Sequence, residues 1–349
     1  MNQSFSKILI IRFSSLGDIV LTTPVFREVK RIYPHSHITL LTSTDFSNVI
    51  MNNPYIDAVI EHPRRESWQE LHQLTRYLKK KSFDLIYDIH CSLRSRFIRW
   101  QLQNFFSKKN QQIWKINKQE FKKILLIRRG INLLKGGISQ RGMFLSPLQQ
   151  QTPIALNLTT ELFPSAEDKE KIEMLLQTLN LPTKHFICIG PSASFHGKCW
   201  PIEFYQNLIE LLLNQNWPIV LVGSKSEVEP VQLKNYFGDK VHNLAGKLNP
   251  LESATLLHHA FLAVCNDTSI GHLAEAMGTP VITIFGPTVR EFGYAPFLKQ
   301  SILVENDLSC RPCTRNGKGE CKINQKRLCL TSISPQMVYD HILQVAEKA

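Results

Sequence analysis

The segment Ala263-Val-Cys-Asn-Asp-Thr-Ser-Ile-Gly-His-Leu-Ala-Glu-Ala-Met-Gly-Thr-Pro-Val-Ile-Thr-Ile-Phe-Gly-Pro-Thr288 constrains the fold more than any other part of the chain. It reads strand, acidic turn, helix, strand, turn within 26 residues. The apolar run Phe261 to Cys265 ends in Asn266-Asp267-Thr268-Ser269, four cap-forming residues that open a helix from Ile270 to Met277. Gly278-Thr279-Pro280 stops that helix, and Val281 to Phe285 is apolar but for Thr283, as suits a strand buried on both faces. A chain that alternates in this way builds a parallel sheet. The first N–H groups of such a helix have no partner within it, and they face the carboxyl edge of the sheet, where open α/β folds bind anionic ligands.

The same alternation runs through the rest of the chain. Strands are expected at Lys7–Phe13, Ile38–Thr42, Ala58–Glu61 and Asp84–Ile89, with helices Ile19–Ile32 and Trp68–Lys81 between them. After a polar, proline-bearing stretch at Ser146–Pro164, helices Ala166–Asn180, Glu203–Gln215, Glu227–Phe237 and Leu251–His259 alternate with strands His185–Ile189, Pro218–Val222 and Val241–Leu244. Each half is therefore expected to be a doubly wound Rossmann-like unit. Neither carries Gly-x-Gly-x-x-Gly, so a nicotinamide dinucleotide is a poor candidate ligand. Six residues separate Gly190 from Gly197 where a P-loop needs four, and Cys199 follows Lys198 where it needs Ser or Thr.

Three motifs carry a resemblance to a known family. The 263–288 segment is similar to a signature that reads Asp-Thr-Gly-x-x-His-Leu-Ala-Ala-Ala, Gly-x-Pro and Phe-Gly-Pro-Thr, with Ser269 in place of the usual glycine. Near the other end, Lys7-Ile-Leu-Ile-Ile-Arg-Phe-Ser-Ser-Leu-Gly-Asp18 resembles the strand and Ser-Ser-x-Gly-Asp loop that open the same proteins. Between them, Ser194-Phe-His-Gly-Lys198-Cys-Trp-Pro201 is similar to their Ser-x-x-x-Lys-x-Trp-Pro element. The family is glycosyltransferase family 9, the ADP-heptose:lipopolysaccharide heptosyltransferases. From the residues alone, Asp18 and Asp267 also read as acids placed at helix starts for the dipole, and Lys198 as a solvated loop lysine. Order and spacing along the chain favour the family.

The resemblance implies a GT-B architecture, two Rossmann-like domains facing across a cleft: an acceptor-binding domain over 1–160, a donor-binding domain over 161–332 and a last helix, Pro335–Glu347 within 333–349, packing back on the first domain. It implies Asp18 as the general base of an inverting transfer and Lys198 as a second catalytic group, with Ser194, Glu227, Asp267, Thr268, Ser269, His272, Gly286, Pro287 and Thr288 around an ADP-heptose donor. It places Arg64 and Arg65 near acidic Kdo sugars of a lipopolysaccharide inner-core acceptor. No Asp-x-Asp occurs in the chain, so catalysis is expected without a cofactor. The rival readings are another GT-B nucleotide-sugar enzyme, with a different sugar donor or an epimerase activity, and a non-catalytic basic protein that binds nucleic acid or membrane.

Charge adds a partner. Residues 1–150 carry 24 Lys and Arg against 10 Asp and Glu, whereas 151–349 carry 17 against 19. The excess clusters at Lys79–Lys81, at Arg94, Arg96 and Arg99, and over Lys115 to Lys135. Such a field attracts an anionic partner, here expected to be the lipopolysaccharide acceptor at the inner membrane surface. No zinc finger, RRM or recognition-helix pattern accompanies it, which argues against nucleic acid. No apolar run approaches the ~20 residues that span a bilayer, and no signal peptide is recognisable, so a cytoplasmic, monomeric protein peripheral to the membrane is expected. Finally, Cys310-x2-Cys313-x7-Cys321-x7-Cys329 suggests a metal centre, with structural zinc first and an iron–sulfur cluster or free thiols as alternatives. Cys91, Cys188, Cys199 and Cys265 read as small buried side chains.

Overall fold

A computed structural model of the chain describes residues 4–64, 67–103, 111–134, 136–323 and 327–348. The chain forms two compact units, one made of residues 1–118 and 140–163, the other of 119–139 and 164–349.

The first unit is a five-stranded, all-parallel sheet in the order β3-β2-β1-β4-β5. Its elements are β1 (Lys7–Ile11), α1 (Leu16–Val20), α2 (Thr23–Ile32), β2 (His37–Ser43), β3 (Ala58–His62), α3 (Trp68–Lys81), β4 (Leu85–Asp88), α4 (Leu93–Leu102) and β5 (Gln112–Lys115). β1 is central and its side chains are buried from Ile8 on, as its apolar run requires. The single helix expected over Ile19–Ile32 is two. The hydroxyls of Thr22 and Thr23 bond back to Asp18 O (2.7 Å) and Val20 O (2.8 Å), competing with the helical ladder, and Pro24 then starts α2 where its missing N–H costs nothing.

The segment 119–139 breaks the expected boundary at 160/161. Its helix α5 (Glu120–Arg129) buries Leu126, together with Leu134, against Val289 and Phe292 of the second unit. Asn132 Nδ2 donates to Glu291 Oε1 at 2.9 Å there. The chain then returns to the first unit as α6 (Gln140–Gln149), whose Phe144 carbonyl accepts the buried Tyr87 hydroxyl at 2.5 Å. Regrouping the residues in this way softens the charge asymmetry: 19 Lys and Arg against 10 acids in the first unit, 22 against 19 in the second.

The second unit is a six-stranded parallel sheet in the order β11-β10-β9-β6-β7-β8. It comprises α7 (Ala166–Thr178), β6 (Ile187–Gly190), α8 (Ile202–Leu213), β7 (Ile219–Leu221), α9 (Glu229–Phe237), β8 (Val241–Asn243), α10 (Pro250–His259), β9 (Leu262–Asn266), α11 (Ser269–Ala276), β10 (Val281–Ile284), β11 (Ile302–Val304), α12 (Leu328–Thr331) and α13 (Pro335–Ala346). The last helix is a correction. Val338, Ile342 and Val345 of α13 join Leu208, Leu212 and Ile284 in the core of the second unit, so the apolar stripe expected to pack on the first domain is already covered by α8 and β10. Trp200 is the largest buried side chain of this core, 2% exposed, with its indole N–H on Ile333 O at 2.9 Å. Truncating such a residue typically costs about 3–5 kcal/mol.

Candidate active site

In the first unit, β1 and β4 end side by side, with Ile11 opposite Asp88, and the residues after them carry the charge. Arg12 is buried. Its guanidinium lies 4.8 Å from the Phe144 ring centroid, donates from Nη1 to Ile89 O at 3.0 Å, and meets Asp18 Oδ2 through Nη2 at 2.6 Å. The same oxygen accepts from Ser15 N (3.3 Å) and Ser15 Oγ (3.2 Å). The short helix α1 thus presents Asp18 in one orientation, held by an arginine that itself has no freedom to swing.

His90 follows β4 and sits edge-on to Phe13, ring centroids 5.3 Å apart. Burial, then the cations Arg12, Lys118 and Arg94, push its imidazole down to about 3 against the opposing charge of Asp18, so it is neutral at any ordinary pH. Arg94 lies over the Phe13 ring at 4.3 Å and donates to Pro63 O and Arg64 O at 3.2 and 2.8 Å. It thereby fixes the β3–α3 turn beside the site. The three arginines of α4 therefore do not act as one surface. Arg99 turns inward, its Nε 2.8 Å from the fully buried Asp88, an ion pair whose N–H does not point along the contact, and only Arg96 projects outward. Arg64 is exposed, and Arg65 lies outside the described residues.

In the second unit, β6, β9 and β10 end together. Asn266, fully buried at the end of β9, accepts Trp200 N on Oδ1 (3.0 Å) and donates from Nδ2 to Pro191 O (2.7 Å). It thus binds the loop after β6 to the edge of β9. That linkage brings Lys198 Nζ to 2.7 Å from Asp267 Oδ2 and 3.2 Å from Asp267 O. Thr288 Oγ1 donates to the same carboxylate at 2.8 Å. Asp267, Lys198 and Thr288 are therefore one cluster, and Thr268 and Ser269, which cap and begin α11, adjoin it. Arg311, 4% exposed at its side chain, locks the turn after β10: Nε donates to Gly286 O and Nη2 to Thr288 O, each at 2.6 Å, with Glu305 Oε2 neutralising it at 2.7 Å. His272 stands near Tyr294, ring centroids 6.2 Å apart.

Glu227 and Glu229 lie at the next strand end, joined by Ser192, whose hydroxyl donates to Glu229 Oε2 at 2.7 Å. Burial raises the Glu227 carboxyl, and Glu229 adds to the rise against hydrogen bonds from Ser224 and Ser192. Ser194 is exposed in the loop that leads to Lys198. Sequence reasoning misses Arg12, His90, Ser192, Asn266 and Arg311. The first and fourth have a signal, each a polar side chain closing an apolar run at a strand end.

The cysteine-rich loop packs on the Lys198 loop around a cavity of about 420 Å³ lined in part by Phe195, Pro287, Cys313, Cys321 and Cys329. Gly317 has φ +81, and a Cβ there would collide with the Lys198 stem, so the close approach needs glycine. The four cysteines expected to hold zinc share this region, and Cys329 stands within electrostatic reach of Cys310, Cys313 and Cys321. Among the described residues no three His, Cys, Asp or Glu side chains are gathered so as to hold an ion, and Cys313 Sγ instead donates to Cys310 O at 3.4 Å. Burial raises the Cys313 thiol and pushes Cys329 up to about 11. No catalytic step is assigned to this loop.

Two doubly wound parallel units, one ending in a clamped carboxylate and the other in a lysine beside a helix start, define a GT-B glycosyltransferase. The comparisons agree. The sequence profile of glycosyltransferase family 9 (heptosyltransferase) matches residues 71–324. Lipooligosaccharide heptosyltransferase 2 of Haemophilus influenzae is 28% identical over 373 residues, an alignment spanning 98% of this chain and 99% of that protein. The structure of a family 9 glycosyl transferase from Veillonella parvula superposes with a TM-score of 0.79 at 19% identity, over 100% of this chain and 99% of its own. The Escherichia coli ADP-heptose lipopolysaccharide heptosyltransferase II superposes at 0.75 and 19%, over 98% and 100%. This chain belongs to glycosyltransferase family 9, a family of enzymes.

Proposed function

We propose that the enzyme moves heptose from ADP-heptose to the inner core of lipopolysaccharide by a single displacement with inversion. An acceptor hydroxyl attacks the anomeric carbon. The new carbon–oxygen bond forms as the bond to the β-phosphate breaks, the hydroxyl proton passes to the Asp18 carboxylate, and ADP leaves carrying the bonding pair. Lys198, exchanging Asp267 for phosphate, and the Thr268–Ser269 start of α11 stabilise the charge that ADP gains, while Gly286–Thr288, His272, Ser194 and Glu227 line the donor site. Arg12 orients Asp18, and neutral His90 is suited to accept or donate a hydrogen bond at the acceptor without competing for charge. Arg64, Arg65, Arg94 and Arg96 supply the positive field for an acidic acceptor.

The observation that carries this reading is the Asp267–Lys198–Thr288 cluster at the start of α11, an anion site whose cation is held by a replaceable carboxylate. Support for donor and acceptor comes from the relatives: the Escherichia coli neighbour is named for ADP-heptose and lipopolysaccharide, and the Haemophilus influenzae relative for lipooligosaccharide. We place the working protein, as a monomer, at the cytoplasmic face of the inner membrane, where the lipopolysaccharide acceptor is assembled; no helix among the described residues is long and apolar enough to cross a membrane. The test is release of ADP from ADP-heptose with and without Kdo-bearing lipid A. Acceptor-dependent release with a β-to-α or α-to-β change at the anomeric centre is expected. Conversion of the nucleotide sugar without acceptor would show an epimerase instead.

A further inference from the structure

Helices α3 and α4 lie side by side and share an outer face of unusual composition. On α4, Leu93 is 83% exposed and Trp100 62%, with half-buried Phe97 between them, so the three form one stripe along the helix. Trp68 of α3 is 70% exposed and meets Phe97 edge-on at 5.6 Å, and Trp100 lies 6.1 Å from the same ring. Solvent-facing tryptophans of this kind are costly unless something covers them. The other tryptophans whose exposure stands out, Trp114 at 7% and Trp200 at 2%, are buried. With Arg94 and Arg99 engaged elsewhere, the two helices still expose Arg76, Lys80, Lys81 and Arg96 against one acid, Glu70, which is spent on the Ser67 capping box.

We propose that this α3–α4 face seats on an anionic lipid bilayer, with Trp68, Leu93 and Trp100 at the headgroup boundary and Arg96 and the α3 lysines against lipid phosphates. Tryptophan beside Lys and Arg is the chemistry of that boundary, whereas the cores of protein interfaces are depleted in lysine. The inference deepens the reading above and rests on its lipid-borne acceptor. α4 begins directly after the His90–Ser92 turn, so a bilayer under this face would hold a membrane-anchored glycan next to the edge that carries Asp18 and His90.

The experiment uses the full chain and acceptor-free vesicles, of phosphatidylcholine alone or mixed with phosphatidylglycerol. Flotation with the anionic vesicles and a blue shift of tryptophan emission are expected. In Leu93→Ser/Trp100→Ser binding should fall roughly 10-fold or more, with the thermal midpoint and transfer to a delipidated, soluble acceptor unchanged. Trp68→Ser, on the other helix, should weaken binding in the same direction and guards against a local failure of α4. Equal flotation of the double variant, equal binding to neutral vesicles, or no binding by the native protein would each overturn the proposal. So would a native dimer that the double variant splits, because the stripe would then cover a second copy. Because the vesicles hold no acceptor, this result is independent of whether heptose is transferred.

Discussion

The two strand edges hold their charges in opposite ways. In the first unit Arg12 is sandwiched between a backbone carbonyl and an aromatic ring, and its partner Asp18 is tied by three donors to one oxygen. In the second unit the cation of the pair is a lysine on a loop, a point charge on a flexible stem, facing Asp267 at 2.7 Å. A proton acceptor must be aimed before the reaction begins, because misplacement by an ångström removes most of the benefit of proximity. An anion site must instead release its resting partner when the ligand arrives. The first edge is built for direction, the second for exchange.

The strongest way to break this contrast is Asp18→Asn, which keeps the size and the bond from Ser15 while removing proton acceptance. Turnover is expected to fall ~10²–10⁴-fold, with ADP affinity unchanged in titration calorimetry. A variant with native kcat would remove Asp18 from the chemistry and leave the fold untouched. Next comes Lys198→Ala. Its charge meets phosphate before and during the reaction, so ADP binding and turnover should both weaken, by roughly 1.5–3 kcal/mol for a charged hydrogen bond. Unchanged ADP affinity would mean that Lys198 serves only its partner Asp267.

A smaller effect, about 10-fold on kcat, is expected for Arg12→Gln, an order of magnitude proper to a lost orienting contact. The diagnostic is non-additivity. If Arg12 acts through Asp18, adding Arg12→Gln to Asp18→Asn should cost nothing further, whereas a general weakening of the unit would add to it.

Much of this contrast is legible in the amino-acid sequence. The helix Trp68–Lys81 falls on its expected residues because a Ser67 cap, Glu70 and a lysine-rich last turn all mark it. Most of the strands are trimmed by a residue or two. The split at Thr22 is written in two consecutive hydroxyl residues before Pro24, a weaker signal than the apolar periodicity around it. What the sequence does not disclose is what depends on distant partners. The commitment of α5 to the second unit rests on Val289 and Phe292, more than a hundred residues on, and the inward turn of Arg99 rests on a buried Asp88. The cysteine spacing suggests an ion; the side chains as placed line a cavity. Elemental analysis of chelator-free protein decides between the two: about one equivalent of zinc is the expected result, and metal-free protein in which Cys310 and Cys321 react with a thiol reagent before the buried Cys313 and Cys329 would leave the cluster as a packing feature.

The subtlest difference between the edges is in their response to acid, and it turns on His90. Burial and the Arg12, Lys118 and Arg94 cations lower its imidazole from 6.5 to about 3 in the folded protein. The unfolded chain therefore binds a proton that the folded chain refuses across that interval. The sign follows: the contribution of His90 to stability is fully present above 6.5 and is lost progressively as pH falls towards 3. Replacing it with a residue that does not titrate, His90→Gln, should make the thermal midpoint less sensitive to pH in that window, even if the variant is less stable at neutral pH. The imidazole proton resonances should show no titration near 6.5 in the native protein. A His90 that titrates at its ordinary value would mean that water reaches the ring and that the first edge is looser than its hydrogen bonds imply, which would bring it closer in character to the exchangeable site around Lys198.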